Sequence, residues 1–562
     1  METASSPATA ARVLSVRPVG TTAVLAELSG LHDVLALQAL LLEAPLPGQV
    51  DVLAAAETVM VKADSAAAAR RMAPRLLAMD LTVQSHAEGA LVTIDTVYDG
   101  EDLAEVGRLT GLGADGVVAA HTGQVWTVAF GGFAPGFGYM VGENQALEVP
   151  RRSSPRTAVP AGSVALAGNY SAVYPRQSPG GWQLIGRTAA PMWDLSREQP
   201  ALAAPGDRVQ FRAVRELVEI AAPAAPAGTS GHAGVESGLR VLSPGLQSLV
   251  QDLGRPGHAG LGVSSAGALD RASVRRANRV LGNGPSAAVI ESVAGGLRVQ
   301  AVGDQVLAVT GAPSALTVVT PSSAAEADAD DDGRPDEVRT VPMATAFALL
   351  DGETLTVGAP ERGFRTYLAI RGGVEAEAVL GSRSTDTMSG IGPAPLAAGQ
   401  LLGAGATTTS NVVGNPELQP DYPDAGVTVL DIVPGPRDDW FDAAALESLC
   451  SQDWAVTPRS NRVGMRLAGE PLVRSRDGEL PSEGTMAGAL QIPPEGQPVL
   501  FLADHPITGG YPVIGVVADY HLDLAAQVPV GGSIRFRWAP GQPASADTSH
   551  NRSHDSLDEV SN

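Results

Sequence analysis

The chain has 562 residues, of which 44% are hydrophobic and 18% charged, and it carries a formal net charge of −23. Because a single hydrophobic core rarely serves more than about 250–300 residues, we expect at least two domains. The acidic balance excludes nucleic acid and anionic membrane surfaces as partners, because both would repel the chain on average.

Glycine (64 residues) and proline (42 residues) are abundant, whereas aromatic residues make up only 4% of the chain. This usage is typical of short strands joined by tight turns, so we predict a mainly β fold with some α. Strands at this density favour closed barrels or sandwiches.

Composition and hydrophobic patterning divide the chain into segments. We predict a disordered tail at 1–11, a small α/β subdomain at 12–90, a barrel at 91–220, a linker at 221–238, a barrel at 239–425 with an acidic insert at 322–337, a barrel at 426–540 and a disordered tail at 541–562.

Local patterns predict individual elements in chain order. Helices are expected at Leu35–Leu42, near Asp102–Leu109 and at Ala272–Leu281, where Asp270 stands in position to cap the helix start. Strands are expected at Ala90–Val97, Gln305–Thr310, Thr354–Val357, Thr366–Ile370, Val427–Val433, Pro498–Leu502, Val513–Val517 and Ser533–Trp538.

Cys450 is the sole cysteine, so an internal disulfide and a cysteine-based metal site are both excluded. The first residues contain an acid and no apolar core, and no run of about 18 apolar residues occurs. We therefore expect a cytoplasmic protein without a signal peptide or membrane helix.

Lys62 is the only lysine, and it lies outside any glycine-rich loop, so a nucleotide would not be bound by a P-loop lysine. Gly111–Gly116 fits the dinucleotide pattern GxGxxG but follows a predicted helix, which indicates a turn with Asp115 near a helix start. The nine histidines form no HExxH pair, and no metal site is predicted. His121 and His505 are expected to be packing residues.

Three motifs mark the first half: Gly131-Gly-Phe-Ala-Pro-Gly-Phe-Gly-Tyr-Met140, Ser154-Pro-Arg-Thr-Ala-Val-Pro-Ala-Gly-Ser163 and Ser178-Pro-Gly-Gly-Trp-Gln-Leu-Ile-Gly-Arg187. The first is either a backbone cradle for an anion or a packed β-turn. In this order and spacing the motifs resemble the family of the B-type component of 5-oxoprolinase, also called the kinase-inhibitor or allophanate-hydrolase-subunit-1 family, over about residues 12–215.

The second half has its own series of motifs. They are Ser243–Gly257 (SPGLQSLVQDLGRPG), Gly262–Arg271 (GVSSAGALDR), Gly381–Asp386 (GSRSTD), Ser460–Leu467 (SNRVGMRL), Ser482–Gly484 (SEG), Gln491–Pro494 (QIPP) and Thr508–Pro512 (TGGYP). This series resembles the C-type component of 5-oxoprolinase, the allophanate-hydrolase-subunit-2 family, over about residues 239–540.

The two families are also joined in the carboxyltransferase part of urea carboxylase. The resemblance implies cyclophilin-like β-barrels, one in the first half and two in the second. It further implies a bacterial, ATP-dependent hydrolysis of 5-oxoproline to glutamate, with Mg²⁺-ATP as a substrate. The partner it implies is the separate A-type component of 5-oxoprolinase, a protein of the lactam-utilisation family. A small-molecule substrate and an oligomeric enzyme are expected.

Candidate site residues come from the matching motifs. Arg462 and Arg466 are candidate oxyanion binders, because guanidinium groups bind phosphate or carboxylate through two bonds. Glu483 and Asp504 are candidate general bases or magnesium ligands. The remaining candidates, for substrate or nucleotide binding, are Phe133, Pro135, Gly136, Phe137, Arg156, Gly180, Gly181, Trp182, Arg255, Asp270, Asn278, Arg371, Ser382, Arg383, Asp386, Asn461, Gln491, Gly509, Gly510 and Tyr511.

Two other functions compete with this prediction. One is a biotin-dependent carboxyl transfer to urea or a related amide. Lys62 stands in Val-Met-Val-Lys-Ala rather than in a biotin-carrier motif, so no covalent biotin is expected on this chain. The other is a non-enzymatic regulator, as the kinase-inhibitor name implies.

Overall fold

The computed structural model describes residues 12–82, 89–217, 237–321, 337–406, 412–476, 478 and 480–541. The two predicted tails, the predicted linker up to residue 236 and the acidic insert up to residue 336 lie outside the described residues, apart from residue 541. The described chain is 36% strand and 17% helix, which confirms the mainly β fold class.

The N-terminal subdomain is a four-stranded antiparallel sheet covered by two helices. Its strand order is β1-β2-β4-β3. Apolar residues along the predicted helix at 35–42 are buried against the sheet, as the spacing indicated. The elements are β1 Ser15–Val19, β2 Ala23–Glu27, α1 Leu31–Glu43, β3 Gln49–Ala54, β4 Thr58–Ala63 and α2 Ala66–Leu77.

The next unit, the first barrel, is a curved seven-stranded sheet with a separate two-stranded ribbon. Its elements are β5 Leu91–Thr96, α3 Leu103–Thr110, α4 Gly113–Thr122, β6 Trp126–Gly131, β7 Gly138–Val141, β8 Arg156–Val159, β9 Ser163–Ala167, β10 Tyr170–Val173, β11 Ser178–Gly180, β12 Gln183–Arg187 and β13 Arg208–Ala213. The sheet order is β12-β9-β10-β7-β6-β13-β5, with β8 and β11 forming the ribbon. Asp115 lies in the first turn of α4, as predicted.

The middle unit consists of two sheets that share one hydrophobic core. Its elements are β14 Gly238–Pro244, β15 Gln247–Gln251, α5 Arg271–Leu281, β16 Val289–Val293, β17 Leu297–Val302, β18 Gln305–Gly311, β19 Ser314–Thr320, β20 Glu337–Thr340, β21 Phe347–Leu349, β22 Thr354–Pro360, β23 Arg365–Ile370 and β24 Leu401–Gly403. The sheet orders are β20-β19-β22-β17-β14-β24 and β15-β16-β23-β18-β21.

The last unit, the second barrel, is closed by hydrogen bonds in the order β25-β32-β29-β30-β27-β26-β33. A ribbon of β28 and β31 lies beside it. Its elements are β25 Val427–Pro434, α6 Ala443–Ser451, β26 Trp454–Val456, β27 Gly464–Ala468, β28 Glu483–Gly484, β29 Ala489–Gln491, β30 Val499–Phe501, β31 Thr508–Gly509, β32 Val513–Val517, α7 Leu522–Ala526 and β33 Ser533–Trp538.

The two barrels have the same topology. In each, the first strand pairs in parallel with the last strand, and the five strands between them follow one shared order. A tryptophan at the start of the second strand donates to a carbonyl of the preceding helix in both: Trp126 to His121 O and Trp454 to Leu449 O, each at 2.9 Å. Each barrel also has a two-stranded ribbon, whose second strand leads into a Gly-Gly-aromatic motif. These motifs, at 180–182 from the end of β11 and at 509–511 from the end of β31, occupy equivalent places in the two barrels.

The N-terminal sheet packs directly against the second barrel. Leu25, Leu53 and Met60 share a buried cluster with Met486 and Val516. The amide of Ala56 also donates to the carbonyl of Ser482 at 3.1 Å. The two halves of the chain therefore bury apolar surface against each other, which is a major source of stability in such contacts.

Candidate functional site

A cavity of about 410 Å³ opens where the N-terminal sheet, the middle unit and the second barrel meet. This volume lies within the range of roughly 300–1,000 Å³ that is typical of ligand pockets. It is lined by Thr22, Val50, Lys62, Ala63, Asp64, Leu253, Pro256, Ser265, Ala266, Ala268, Leu269, Arg271, Arg275, Met486, Ala487, Phe501, Leu502, Ala503, His505, Asp519, Leu522 and Asp523.

Lys62 projects into this cavity from β4, an interior strand of the N-terminal sheet. Burial lowers the pKa of Lys62 and the neighbouring charge of Arg271 lowers it further, whereas Asp51 and Asp519 raise it. Its ammonium group has no hydrogen bond or ion pair with the residues that the structure describes. Lys62 is therefore a half-buried cation whose donors are available to a ligand.

Charged groups of the second half surround the ammonium group. The start of α5 carries Arg271, and its backbone amide donates to Asp523 at 2.8 Å across the junction with the second barrel. Asp519 accepts a 2.5 Å hydrogen bond from Thr21 of the first half. These contacts hold the three units together around the cavity.

His505 lines the cavity as a neutral imidazole. Burial lowers its pKa to about 4. Its Nδ1 lies 2.9 Å from the carbonyl oxygen of Pro506, which can only accept, so Nδ1 carries the hydrogen. The ring also stacks on Phe501. His505 thus packs as predicted and in addition faces the cavity.

The predicted catalytic pair Arg462 and Asp504 lies behind the wall of the cavity. Two parallel hydrogen bonds of 3.0 Å join the guanidinium group to the carboxylate. The same guanidinium group contacts Glu291 and donates to the carbonyl of Gly267 at 2.6 Å. Burial by itself lowers the pKa of Arg462, but the carboxylates of Asp504 and Glu291 outweigh this effect and raise the pKa above its ordinary value. This geometry gives Arg462 and Asp504 a structural role, and their catalytic role stays a prediction.

A second buried network holds the predicted residues of the 252–265 and 382–389 loops. Asp252 accepts from the hydroxyl of Ser382 at 2.6 Å and from the amide of Arg383 at 2.7 Å. Asp386 accepts from the hydroxyl of Ser264 at 2.9 Å. The Arg255 guanidinium group is buried and donates to the carbonyl of Ser384. These charged groups are paired within the network, and of the two loops only the one at 252–265 lines the cavity, through Leu253, Pro256 and Ser265.

Glu483, the other predicted catalytic acid, is buried against Arg437. The Nε atom of Arg437 lies 2.9 and 3.0 Å from the two carboxylate oxygens, and Nη1 lies 2.5 Å from Glu27 of the first half. Burial raises the pKa of Glu483, and the guanidinium group of Arg437 opposes that rise. Arg437 therefore joins the ribbon of the second barrel to the N-terminal sheet, and a catalytic role of Glu483 stays a prediction.

The aromatic loop at 131–140 is a packed turn rather than an open cradle. Phe137 is buried, and its ring lies 4.8 Å from that of Phe133 and 5.5 Å from that of Trp182. The amides of Gly132 and Phe137 donate within the loop. At Gly136, with a φ of +77°, a Cβ atom would lie 2.8 Å from the carbonyl of Met192. Of the two alternatives for this motif, the structure shows the packed turn, which also buries Pro135.

Asp270 and Asn278 hold the two ends of α5. Asp270 caps the helix, because it accepts from the Ser273 amide at 2.8 Å, as predicted. Burial, reinforced by Asp523, raises its pKa to about 6. Asn278 is buried near the end of the helix and donates to the carbonyl of Ala287 at 2.9 Å.

The other predicted residues are not brought together at the cavity. Arg156 pairs with Asp102 at 2.9 Å in the first barrel, beside Gly180 and Gly181. Arg466 and Asn461 are exposed, and Arg371 follows β23. In the second barrel, Gln491 donates to the carbonyl of Tyr511, next to Gly509 and Gly510.

A serine–histidine–tyrosine cluster in the first barrel resembles a catalytic arrangement, but its serine and histidine are closed to solvent. His121 Nε2 lies 2.8 Å from Ser171 Oγ, and Nδ1 lies 2.7 Å from the Tyr98 hydroxyl. His121 and Ser171 have no exposed surface, and burial lowers the pKa of His121 to about 3. His121 is a packing residue, as predicted.

Sequence reasoning missed the charged residues that face the cavity. They are Lys62, Asp64, Arg271, Arg275, Asp519 and Asp523. One signal was available for Lys62, because a sole lysine among 38 basic residues is conspicuous. No group of three or more histidine, cysteine, aspartate or glutamate side chains in the described ranges is arranged to hold a metal ion. None of the helices in those ranges is long and apolar enough to cross a membrane.

Comparison with known proteins assigns the two halves. The description "carboxyltransferase domain, subdomain C and D" matches residues 14–203, and "carboxyltransferase domain, subdomain A and B" matches residues 261–538. The C-type component of 5-oxoprolinase from Escherichia coli K12 is 34% identical over 301 residues, which cover 53% of this chain and 90% of that protein. The chain belongs to the family of the B-type and C-type components of 5-oxoprolinase.

The match to the B-type component lies in the first half. That component of 5-oxoprolinase from Escherichia coli O157:H7 is 43% identical over 134 residues, which cover 23% of this chain and 62% of that protein. The urea amidolyase of Lachancea kluyveri is 29% identical over 326 residues, covering 53% of this chain but 17% of that protein.

One solved structure spans both halves. The crystal structure of TTHA0988 superimposes with a TM-score of 0.76 and 34% identity, and covers 90% of this chain and 96% of that protein. The family resemblance found in the sequence motifs is thereby confirmed, as is the joining of B-like and C-like parts in one chain.

Proposed function

We propose that this chain supplies the B-type and C-type components of an ATP-dependent 5-oxoprolinase in one polypeptide and acts with a separate A-type component. The observation that carries the proposal is the cavity at the junction, because both halves contribute charged side chains to it. The relatives named as B-type and C-type components match the two halves that meet there.

The proposed reaction breaks the lactam C–N bond of 5-oxoproline and the terminal phosphoanhydride bond of ATP. Two water molecules are consumed, and glutamate, ADP and phosphate are formed. Such a reaction depends on positioning and on neutralising charge that develops on oxygen. The cavity offers Lys62, Arg271 and Arg275 for neutralising charge, and the carboxylate of Asp519 for orienting water.

Mg²⁺-ATP is proposed as a substrate rather than a resident cofactor. Covalent biotin is not proposed for this chain. Its sole lysine lies inside β4 with the side chain in the cavity, whereas a ligase would need an exposed lysine. A carrier of activated carboxyl groups would have to be another protein.

A reconstitution assay tests the proposed function. The purified chain is mixed with the cognate A-type component, 5-oxoproline and Mg²⁺-ATP, and glutamate and ADP are quantified together. Equal release of glutamate and ADP that requires both proteins supports the proposal. ADP release without glutamate, or glutamate release by the A-type component alone at the same rate, contradicts it.

Carboxyl transfer to urea is the second candidate function, favoured by the match to urea amidolyase over the second half. The two candidates separate in one comparison. The chain is incubated with carboxybiotin and either urea or 5-oxoproline, without ATP, and loss of the carboxyl group from carboxybiotin is followed. Transfer of the carboxyl group that requires urea favours carboxyltransferase activity. The absence of transfer leaves hydrolysis of the lactam as the remaining candidate function.

A further inference from the structure

Lys62 is a partly buried cation that forms no ion pair with the charged residues lining the cavity. It lies on an interior strand, and burial lowers the pKa of its side chain. Its ammonium group makes no hydrogen bond or ion pair of 4.0 Å or less within the described part of the chain. A buried charge of this kind is costly unless an opposite charge and hydrogen-bond acceptors reach it.

The nearby carboxylates are held by other donors. Asp51 accepts from the amides of Gly257 and Ala259 at 3.0 and 3.4 Å. Asp519 accepts from Thr21 at 2.5 Å. Asp523 accepts from the amides of Arg271 and Ala272 at the start of α5. Of these acids, Asp51 and Asp519 lower the cost of burying the ammonium group without occupying its donors.

The rest of the cavity suits a small ligand with one anionic end and an apolar body. Met486, Phe501 and Leu502 form an apolar wall from the second barrel. Arg271 and Arg275 add positive charge from α5. A five-membered lactam with one carboxylate has this combination of an apolar ring and a single negative charge.

We propose that Lys62 is the residue that binds the carboxylate of the lactam substrate in the junction cavity. This inference rests on the proposed function, because it takes 5-oxoproline as the ligand. The carboxylate accepts hydrogen bonds from the Lys62 ammonium group, and the lactam ring lies against the wall formed by Met486 and Phe501. The lactam carbonyl then points away from Lys62, into the open part of the cavity.

An anionic phosphate of ATP has the same chemistry at its oxygens, so the test includes it. Binding of 5-oxoproline, of 2-pyrrolidinone and of inorganic phosphate to the full chain is measured by calorimetry. 2-Pyrrolidinone is the same ring without the carboxylate. The variants are Lys62→Met and, as a matched control that removes one exposed positive charge from α2 of the same subdomain, Arg70→Met.

We expect wild type and Arg70→Met to bind 5-oxoproline equally, and Lys62→Met to bind it about ten- to a hundredfold more weakly. 2-Pyrrolidinone should bind weakly to all three proteins. Thermal unfolding checks that Lys62→Met is folded; removal of an unpaired buried charge should not lower its midpoint. Lys62→Arg provides a second variant that retains the charge and should recover part of the affinity.

Equal affinity of wild type and Lys62→Met for 5-oxoproline overturns the inference. So does Lys62-dependent binding of phosphate in place of 5-oxoproline, or the absence of 5-oxoproline binding by the wild type both alone and with the A-type component. Lys62-dependent binding without turnover sinks the proposed function and leaves the inference standing. If Lys62→Met instead turns over 5-oxoproline with the KM of the wild type, the inference is wrong and the proposed function stands.

Discussion

Asp51 and Lys62 stand opposite each other in the ladder between β3 and β4, so both side chains leave the same face of the N-terminal sheet. Asp51 accepts hydrogen bonds from the amides of Gly257 and Ala259 in the second half. Lys62 faces the cavity beside that contact. Asp51 therefore fixes the first half against the second next to the point where the sole lysine enters the cavity.

Removal of Arg437 should weaken the contact between the halves. Its guanidinium group joins Glu483 of the second half to Glu27 of the first. Arg437→Met leaves the buried carboxylate of Glu483 without its cation, whereas the half-buried Glu27 keeps Arg17 at 3.1 Å. We therefore expect a loss of about 3–5 kcal/mol in the free energy of unfolding, measured by denaturant titration. The exposed pair of Arg535 and Asp453 offers a control, because Arg535→Met should cost less than about 1 kcal/mol. Equal losses for the two variants would contradict the assignment.

Gly484→Ala tests the close approach of the ribbon to the N-terminal sheet. A Cβ atom at this position would lie 2.9 Å from the Cβ of Met60 and 3.1 Å from Cδ2 of Leu53. We expect overpacking to destabilise the chain by about 1–3 kcal/mol, seen as a lower midpoint in denaturant. Gly284→Ala, where no atom lies within 4 Å of the added Cβ, should leave the midpoint within experimental error. A neutral Gly484→Ala would mean that the sheet and the barrel are not in contact there.

The stability of the chain should depend on the ionisation of Asp270. Its pKa in the folded state is about 6, above the ordinary aspartate value of 3.8, so folding favours the protonated form. The resulting stability is fully present below pH about 4 and is lost as the pH rises through about 6. Between pH about 4 and about 6, the free energy of unfolding of the wild type should therefore fall by about 2–3 kcal/mol relative to that of Asp270→Asn. Paired thermal unfolding experiments measure this difference. If the difference in free energy of unfolding between the two proteins stays constant across that range, Asp270 does not ionise there in the folded state.

Binding of 5-oxoproline should weaken at alkaline pH if Lys62 holds its carboxylate. Only the protonated amine binds an anion, so affinity is lost as the pH rises through the pKa of Lys62, which burial lowers. Lys62→Arg should keep its affinity over the same range, because a guanidinium group does not titrate there. The charged or titratable groups facing Lys62 are Asp51, Asp64, Arg271, Arg275, His505, Asp519 and Asp523. If wild type and Lys62→Arg lose affinity for 5-oxoproline over the same pH range, a group other than Lys62 is responsible.

Local elements could be predicted from the sequence because local patterns determine them. Val513–Val517 and Ser533–Trp538 were predicted with the bounds that the structure shows, as apolar runs bounded by turn residues. The cap at Asp270 was also predictable, because a helix start needs an acceptor there. By contrast, β28 and β31 are two residues each, and only the pairing of Glu483 with Gly509 and of Gly484 with Thr508 defines them.

The candidate site could be predicted only in part. The motifs around Arg255 and Asp504 lie in loops that line the cavity. The side chains of Arg255, Asp504 and Asp386 are nevertheless bound within buried networks. The sequence marks Lys62 as the sole lysine but predicts no role for it. Its environment depends on residues that lie roughly 200 to 460 positions further along the chain, and no local pattern reports such contacts.

Hydrolysis of 5-oxoproline in the cavity between the two halves is the central claim. The most direct measurement is joint quantification of glutamate and ADP with the A-type component present, for wild type and for Ala487→Phe, which fills the cavity from its wall. We expect equal glutamate and ADP from wild type, and no glutamate above the level of the A-type component alone from a folded Ala487→Phe. Wild-type glutamate formation by Ala487→Phe, or no glutamate from wild type bound to the A-type component, would contradict the claim.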